Sequence, residues 1–110
     1  PIYLDQVALD FPELTIVGGH IGYPWTEEAI AVATKHENVY IDTSAYVIKR
    51  YPPELLRIMR GHGARKVLFG TNYPMFPHSA ALSGVESLEM IADKMALFMS
   101  DNAKRVFKIS

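Results

Sequence analysis

The sequence contains no cysteine. Disulfides and thiolate metal sites are therefore excluded, and the composition fits a reducing, cytoplasmic compartment. There is no excess of either charge. Eleven Lys and Arg stand against twelve Asp and Glu, for a net charge of −1, and the basic residues are spread along the chain. That balance gives no electrostatic case for nucleic acid or an anionic membrane surface as a partner. No apolar run approaches the roughly 20 residues a membrane span needs. The N-terminus lacks the basic segment and apolar stretch of a signal peptide. It starts at Pro1, without Met, inside a helical pattern, which suggests a processed, tagged or truncated chain. Low-complexity segments and linkers are also missing.

What remains is an ordinary globular composition. The chain has 110 residues, 49% of them hydrophobic and 21% charged, enough for one modest core. Leu4, Val7, Ala8 and Phe11 recur at i, i+3, i+4, i+7 and predict an amphipathic helix that Pro12 ends. Residues 14–19 (LTIVGG) read as a short buried strand. Trp25, Ala29, Val32 and Ala33 mark a second helical face, with Pro24 and Thr26 near its start. Residues 39–43 (VYIDT) are rich in β-branched and aromatic residues and predict a second strand. Pro52 and Pro53 open a third helix with Leu55, Leu56 and Met59 inward, and Gly61 and Gly63 close it. Residues 66–70 (KVLFG) form the third expected strand, followed by a loop from Thr71 to about Ser83. Ser83 and Glu86 have capping-box spacing. They introduce a long helix facing inward through Leu88, Ile91, Ala92, Met95 and Phe98. Ser100 is placed as the cap of a last short helix carrying Ala103, Val106 and Phe107.

Helix and strand thus alternate, with strands about every 25 residues, as βαβ units of a parallel sheet require. Three parallel strands leave two open edges. The pattern fits a small three-layer α/β domain or the last part of a larger barrel. A complete eight-unit barrel would need about 200 to 250 residues.

Each expected strand delivers polar residues at its carboxyl end: His20 between glycines, then Asp42, Thr43 and Ser44, then Thr71 and Asn72. Ligands of parallel α/β folds bind beyond those ends. His20 suits a metal ligand or acid/base group, and equally a histidine bonded to a loop carbonyl. Asp42 can bind a substrate hydroxyl or, more often, cap its loop. Trp25 can form a pocket wall, although an aromatic at helical spacing usually packs in a core. Asn72 can hold substrate or cap a turn. His36, His62 and His78 read as solvated. Met75, Met90, Met95 and Met99 read as packing residues.

Four segments in order carry a resemblance. Residues 11–25 (FPELTIVGGHIGYPW), 38–44 (NVYIDTS), 67–74 (VLFGTNYP) and 101–107 (DNAKRVF) resemble the sixth, seventh and eighth strands and closing helix of the amidohydrolase-related family. That family includes the aminocarboxymuconate-semialdehyde and resorcylate decarboxylases. The resemblance implies the last three βα units of a (β/α)₈ TIM barrel, with residues 1–110 as the C-terminal part of a single such domain. It implies a divalent metal, often zinc, at the carboxyl face, and a small organic substrate that is hydrolysed or decarboxylated. Zinc with three protein ligands and an open position lowers the pKa of bound water to about 7. By the same resemblance, His20 matches the sixth-strand histidine beside the metal-bound water, an acid/base or polarising group. Position 72 matches the eighth-strand aspartate that binds the metal and shuttles a proton.

Two departures set expectations. The chain has no His-x-His pair and no fifth-strand histidine, so most family metal ligands are missing. Position 72 is Asn, whose amide oxygen can coordinate a hard cation but brings no charge and takes no proton. The site is therefore disabled, altered or mutated. The chain is expected to be inactive alone, with Trp25, Asp42 and Thr71 on the substrate side. The rival expectations are a non-catalytic module that packs against a partner, or forms a homo-oligomer, through its open sheet edges, and an independent small α/β binding domain with His20, Asp42 and Asn72 as a ligand cradle.

Overall fold

The computed structural model describes residues 2–44, 46, 48–70, 88 and 90–108. Its elements run α1 (Ile2–Asp10), β1 (Ile16–Gly18), α2 (Thr26–Lys35), β2 (Val39–Asp42), α3 (Pro53–Arg60), β3 (Val67–Leu68), α4 (Ala92–Ala96) and α5 (Asn102–Val106). The strands form one parallel sheet with β2 in the middle. Ile16, Val17 and Gly18 pair with Val39, Tyr40 and Ile41, and Ile41 and Asp42 pair with Val67 and Leu68. The register brings all three carboxyl ends to one side, which is the alternation the sequence predicts.

The period-2 rule sorts the β2 side chains. Val39 and Ile41 are buried, while Tyr40 and Asp42 on the other face are only half-buried. Val39, Ile41 and Val67 join Val32, Ala33, Leu55, Ile58, Met59 and Phe98 in a single core between sheet and helices. Phe98 receives the Phe69 ring edge-on at 5.6 Å and Tyr51 at 6.3 Å. Edge-to-face rings add about 1 kcal/mol per pair beyond their burial.

Several local expectations change. In α1, Ala8 is buried, but Val7 and Phe11 are exposed; Phe11 lies past the helix end, so its side chain leaves the helical stripe. Asn38 fixes that exit by donating to the carbonyls of Phe11 and Leu14 at 3.2 and 2.8 Å. In α3, Ile58 is buried alongside Leu55 and Met59, whereas Leu56 is only partly covered. The long helix through Leu88 and Ile91 is not seen as such. Its helical backbone begins at Ala92, because Ile91 is extended (φ −67°, ψ 156°) and exposed. The Ser83–Glu86 capping box lies outside the described residues. Ser100 caps nothing. Leu97–Asp101 form a π-turn whose flanking residues keep helical angles, so α4 and α5 make one continuous helical run. Ser100 points its hydroxyl at the neighbouring Asp101 carboxylate instead of a backbone N–H.

The amino ends of the strands are tied by side chains to main-chain carbonyls. Lys66 donates to the carbonyls of His36, Glu37 and Val39 at 2.9–3.0 Å, and its ammonium lies 4.6 Å from the centre of the Tyr40 ring. Burial lowers its pKa, opposed by the nearby Glu37 carboxylate and assisted by Arg105. Asn102 is fully buried and donates to the carbonyls of Ala64 and Val67 at 2.7 and 2.9 Å, while its oxygen accepts from Arg105. A buried amide with every group paired is the favourable case for a polar core residue. His36 departs from the solvated expectation. It is largely covered and lies 2.7 Å from the Asp5 carboxylate, which Lys35 also contacts.

Candidate functional site

His20 lies just past β1 in a tight turn, His20–Gly22. Three successive residues there have left-handed backbone: His20 (φ 53°), Ile21 (φ 52°) and Gly22 (φ 77°). For non-glycine residues this conformation costs about 1–2 kcal/mol each. Burial of Ile21, 1% exposed, holds the turn in place. Gly22 is required, since a Cβ there would meet the Ala29 Cβ at 2.5 Å. The result lifts the His20 imidazole out of the sheet into the open.

Its ring is not free to spin. Nδ1 lies 3.2 Å from the Ser44 carbonyl at the end of β2. A carbonyl oxygen only accepts, so Nδ1 carries the hydrogen, and in the neutral ring Nε2 holds the free lone pair. Asp42, at the last position of β2, binds the same Ser44 twice. Oδ1 accepts the Ser44 N–H at 3.1 Å and Oδ2 accepts the Ser44 hydroxyl at 2.6 Å. This is an Asx-type turn built by an Asp two residues before its partner. Each carboxylate oxygen keeps a second lone pair.

The end of β3 closes against this pair. Thr43 is buried, donates its hydroxyl to the Leu68 carbonyl at 3.0 Å and accepts the Gly70 N–H at 3.2 Å. A Cβ at Gly70 would overlap Asp42 Oδ1 and crowd Ser44. Only glycine lets the third strand pass so close to the Asp42 carboxylate. Beneath them lies Tyr51, with a buried hydroxyl that has no hydrogen-bond partner among the described residues. Burial pushes its pKa up to about 12. The Thr43 hydroxyl beside it, outside hydrogen-bond geometry, pulls the value down somewhat, and the Asp42 charge pushes it up again.

The structure therefore brings His20 and Asp42 together through Ser44 at one end of the sheet. Thr71 and Asn72 lie outside the described residues. Trp25 is not a core residue: it is 56% exposed, at the residue preceding α2. It stands on the same loop as Tyr23, itself exposed, whose ring lies 6.3 Å from that of Tyr46. Ser44, Gly70, Tyr23 and Tyr46 belong to this end as well. The Asp-x-Ser spacing was the available sign for Ser44. Nothing in spacing marks Gly70 as the neighbour of Asp42.

At the opposite end, Glu37, Tyr40, Arg65, Lys66 and Arg105 line a cavity of about 370 Å³. Two of its three cations are engaged: Lys66 with three carbonyls, Arg105 with the Arg65 carbonyl and Asn102. Among the described residues no three His, Asp or Glu side chains converge as a metal site. His20 and Asp42 alone do not make up the three protein ligands that a catalytic zinc takes, so these residues do not fit a complete metal centre.

Three parallel strands joined by helices, with polar side chains gathered at their carboxyl ends, define βα units of the TIM-barrel type. The family model described as amidohydrolase matches residues 1–109, and the chain belongs to that family. A TIM-barrel protein of uncharacterised function from Bordetella bronchiseptica superposes with a TM-score of 0.87 at 32% identity, over 98% of this chain and 39% of that one. The 5-carboxyvanillate decarboxylase of Sphingomonas paucimobilis superposes at 0.67 and 24% identity, over 97% of this chain and 37% of its own. An amidohydrolase from Burkholderia multivorans with bound zinc superposes at 0.68 and 14% identity, over 97% and 48%. The chain thus spans less than half the length of each of these barrels. No curated protein matches its sequence.

Proposed function

We propose that this chain forms part of the catalytic face of an amidohydrolase-type barrel acting on a small organic acid or amide. The reaction is non-oxidative decarboxylation or hydrolysis, and His20 is its acid/base group. One observation carries the reading. His20 stands at a strand's carboxyl end with Nδ1–H held by a carbonyl and Nε2 without a partner among the described residues, the arrangement a proton-transfer imidazole needs. Membership in the amidohydrolase family and the likeness to a decarboxylase support it. The acid/base role does not pass through a cation. In this reading Asn72 takes the place of the family's metal-binding aspartate and offers an amide oxygen where a carboxylate would carry charge. Zinc or another divalent cation then belongs to the complete barrel, Trp25 and Thr71 to the substrate side, and the location is cytoplasmic.

These 110 residues are expected to be inactive alone. The check is carbon dioxide release and amide hydrolysis assayed on the purified chain, with 5-carboxyvanillate and simple carboxylates and amides, with and without added zinc. Turnover that His20→Gln leaves unchanged would overturn the role of His20. Turnover that His20→Gln abolishes would keep that role and overturn the inactivity.

A second reading rests on the sheet edges. Among the described residues β1 and β3 each have one strand neighbour, and open edges invite pairing with another chain. In that reading the chain packs against a partner or a second copy. Sedimentation of the chain as a folded monomer would remove it.

A further inference from the structure

We propose that Asp42 is a positioning residue. Through Ser44 it holds His20 in the tautomer with hydrogen on Nδ1 and a lone pair on Nε2. For the use made of that lone pair, the proposal rests on the acid/base reading of His20; the tautomer itself stands without it.

The chain of contacts runs from the rigid sheet to the exposed ring. Asp42 ends β2, paired in register with Leu68 of β3. Behind it the Gly70 backbone passes so close that a Cβ there would overlap Oδ1, and buried Thr43 clamps β2 to β3 through Leu68 and Gly70. The carboxylate then grips Ser44 at its N–H and its hydroxyl. Ser44, so fixed, presents its carbonyl to Nδ1 of a residue 24 positions away in sequence. A free imidazole side chain prefers its hydrogen on Nε2. The carbonyl reverses that preference only if it stays in place, and an unrestrained residue following a strand end would not hold it there. Histidines in catalytic and metal sites are oriented this way, by an acceptor on the ring nitrogen that does no chemistry. Here the carboxylate acts one residue further back. It never touches the imidazole, so its negative charge fixes position while a neutral carbonyl makes the contact.

The experiment is long-range proton–nitrogen NMR of the imidazoles in the full 110-residue chain, with His20→Gln identifying the His20 signal. In the wild-type chain, at a pH where the ring is neutral, the Nδ1–H tautomer is expected to dominate. Ser44→Ala removes one of the two grips, and Asp42→Ala removes both. Each is expected to lower the ratio of Nδ1–H to Nε2–H by roughly threefold or more, the effect of weakening one hydrogen bond of modest strength. A wild-type His20 with hydrogen on Nε2 would overturn the proposal. So would an unchanged ratio in the folded variants, and if Asp42→Ala does not fold, Ser44→Ala decides alone. The readout is separate from turnover: turnover that does not depend on His20 would sink the proposed role of His20 and leave the tautomer result intact.

Discussion

The two ends of the three-stranded sheet are built to opposite standards. At the amino end three polar side chains are fully engaged with main-chain carbonyls and one another. Lys66 serves three carbonyls, Asn102 serves two and accepts from Arg105, and Arg105 reaches the Arg65 carbonyl. At the carboxyl end Asp42, Thr43 and Ser44 are bonded, but two groups lack a partner among the described residues. They are His20 Nε2, on a left-handed backbone, and the Tyr51 hydroxyl. Saturated buried groups stabilise and specify a fold. Open groups on constrained backbone are typical of functional sites. The contrast matches the division in parallel barrels, where the amino face supports stability and the carboxyl face supports chemistry.

The comparison breaks most readily at Asn102. Asn102→Ala strips the partners from two buried carbonyls, at a cost of about 3 kcal/mol, or roughly 15 °C in Tm for a chain of this size. Denaturant titration with an unchanged m-value is the check. A loss below about 1 kcal/mol would mean the amino end is not the stabilising one.

The next effect belongs to Tyr51, whose pKa is raised to about 12 from 10.0. Where the folded state holds a proton more tightly than the unfolded state, stability is full below the unfolded value and falls as pH rises through the folded one. Unfolding followed by denaturant should therefore show a loss of about 2 kcal/mol between pH 10 and pH 12, an order-of-magnitude figure. Tyr51→Phe removes that loss and, at neutral pH, should be neutral or slightly stabilising, because it deletes a buried hydroxyl with no hydrogen bond among the described residues. Destabilisation of the Phe variant at neutral pH would show that the hydroxyl has a partner after all.

The sequence carried the architecture further than the site. Strands showed as β-branched runs, and α2 and α3 showed through Ala29, Val32, Leu55 and Met59, because burial follows local periodicity. The start of α4 did not, since an apolar residue at helical spacing, Ile91, is exposed at the cap. His20 and Asp42 were visible as polar residues at strand ends. Their joint through Ser44 was not, because it runs through a main-chain carbonyl that every residue possesses. Asn102 was hidden for a similar reason: its acceptors, Ala64 and Val67, lie 38 and 35 positions away. Long-range contacts to backbone leave no spacing to read.

The smallest expected effect gives the sharpest test. His20→Asn should change stability by less than about 0.5 kcal/mol, the near-cancellation of two terms. The substitution gives up an exposed hydrogen bond worth about 0.5–1 kcal/mol. It also places at φ 53° a residue that tolerates the left-handed region better than most, recovering part of a strain of about 1 kcal/mol. A residue kept for folding would not behave this way. Beside the large loss at Asn102, a neutral His20→Asn in the same denaturant titration would mark the imidazole as present for chemistry. A loss of 2 kcal/mol or more would instead make His20 a structural clasp between β1 and β2, and the two ends of the sheet would then differ in degree only.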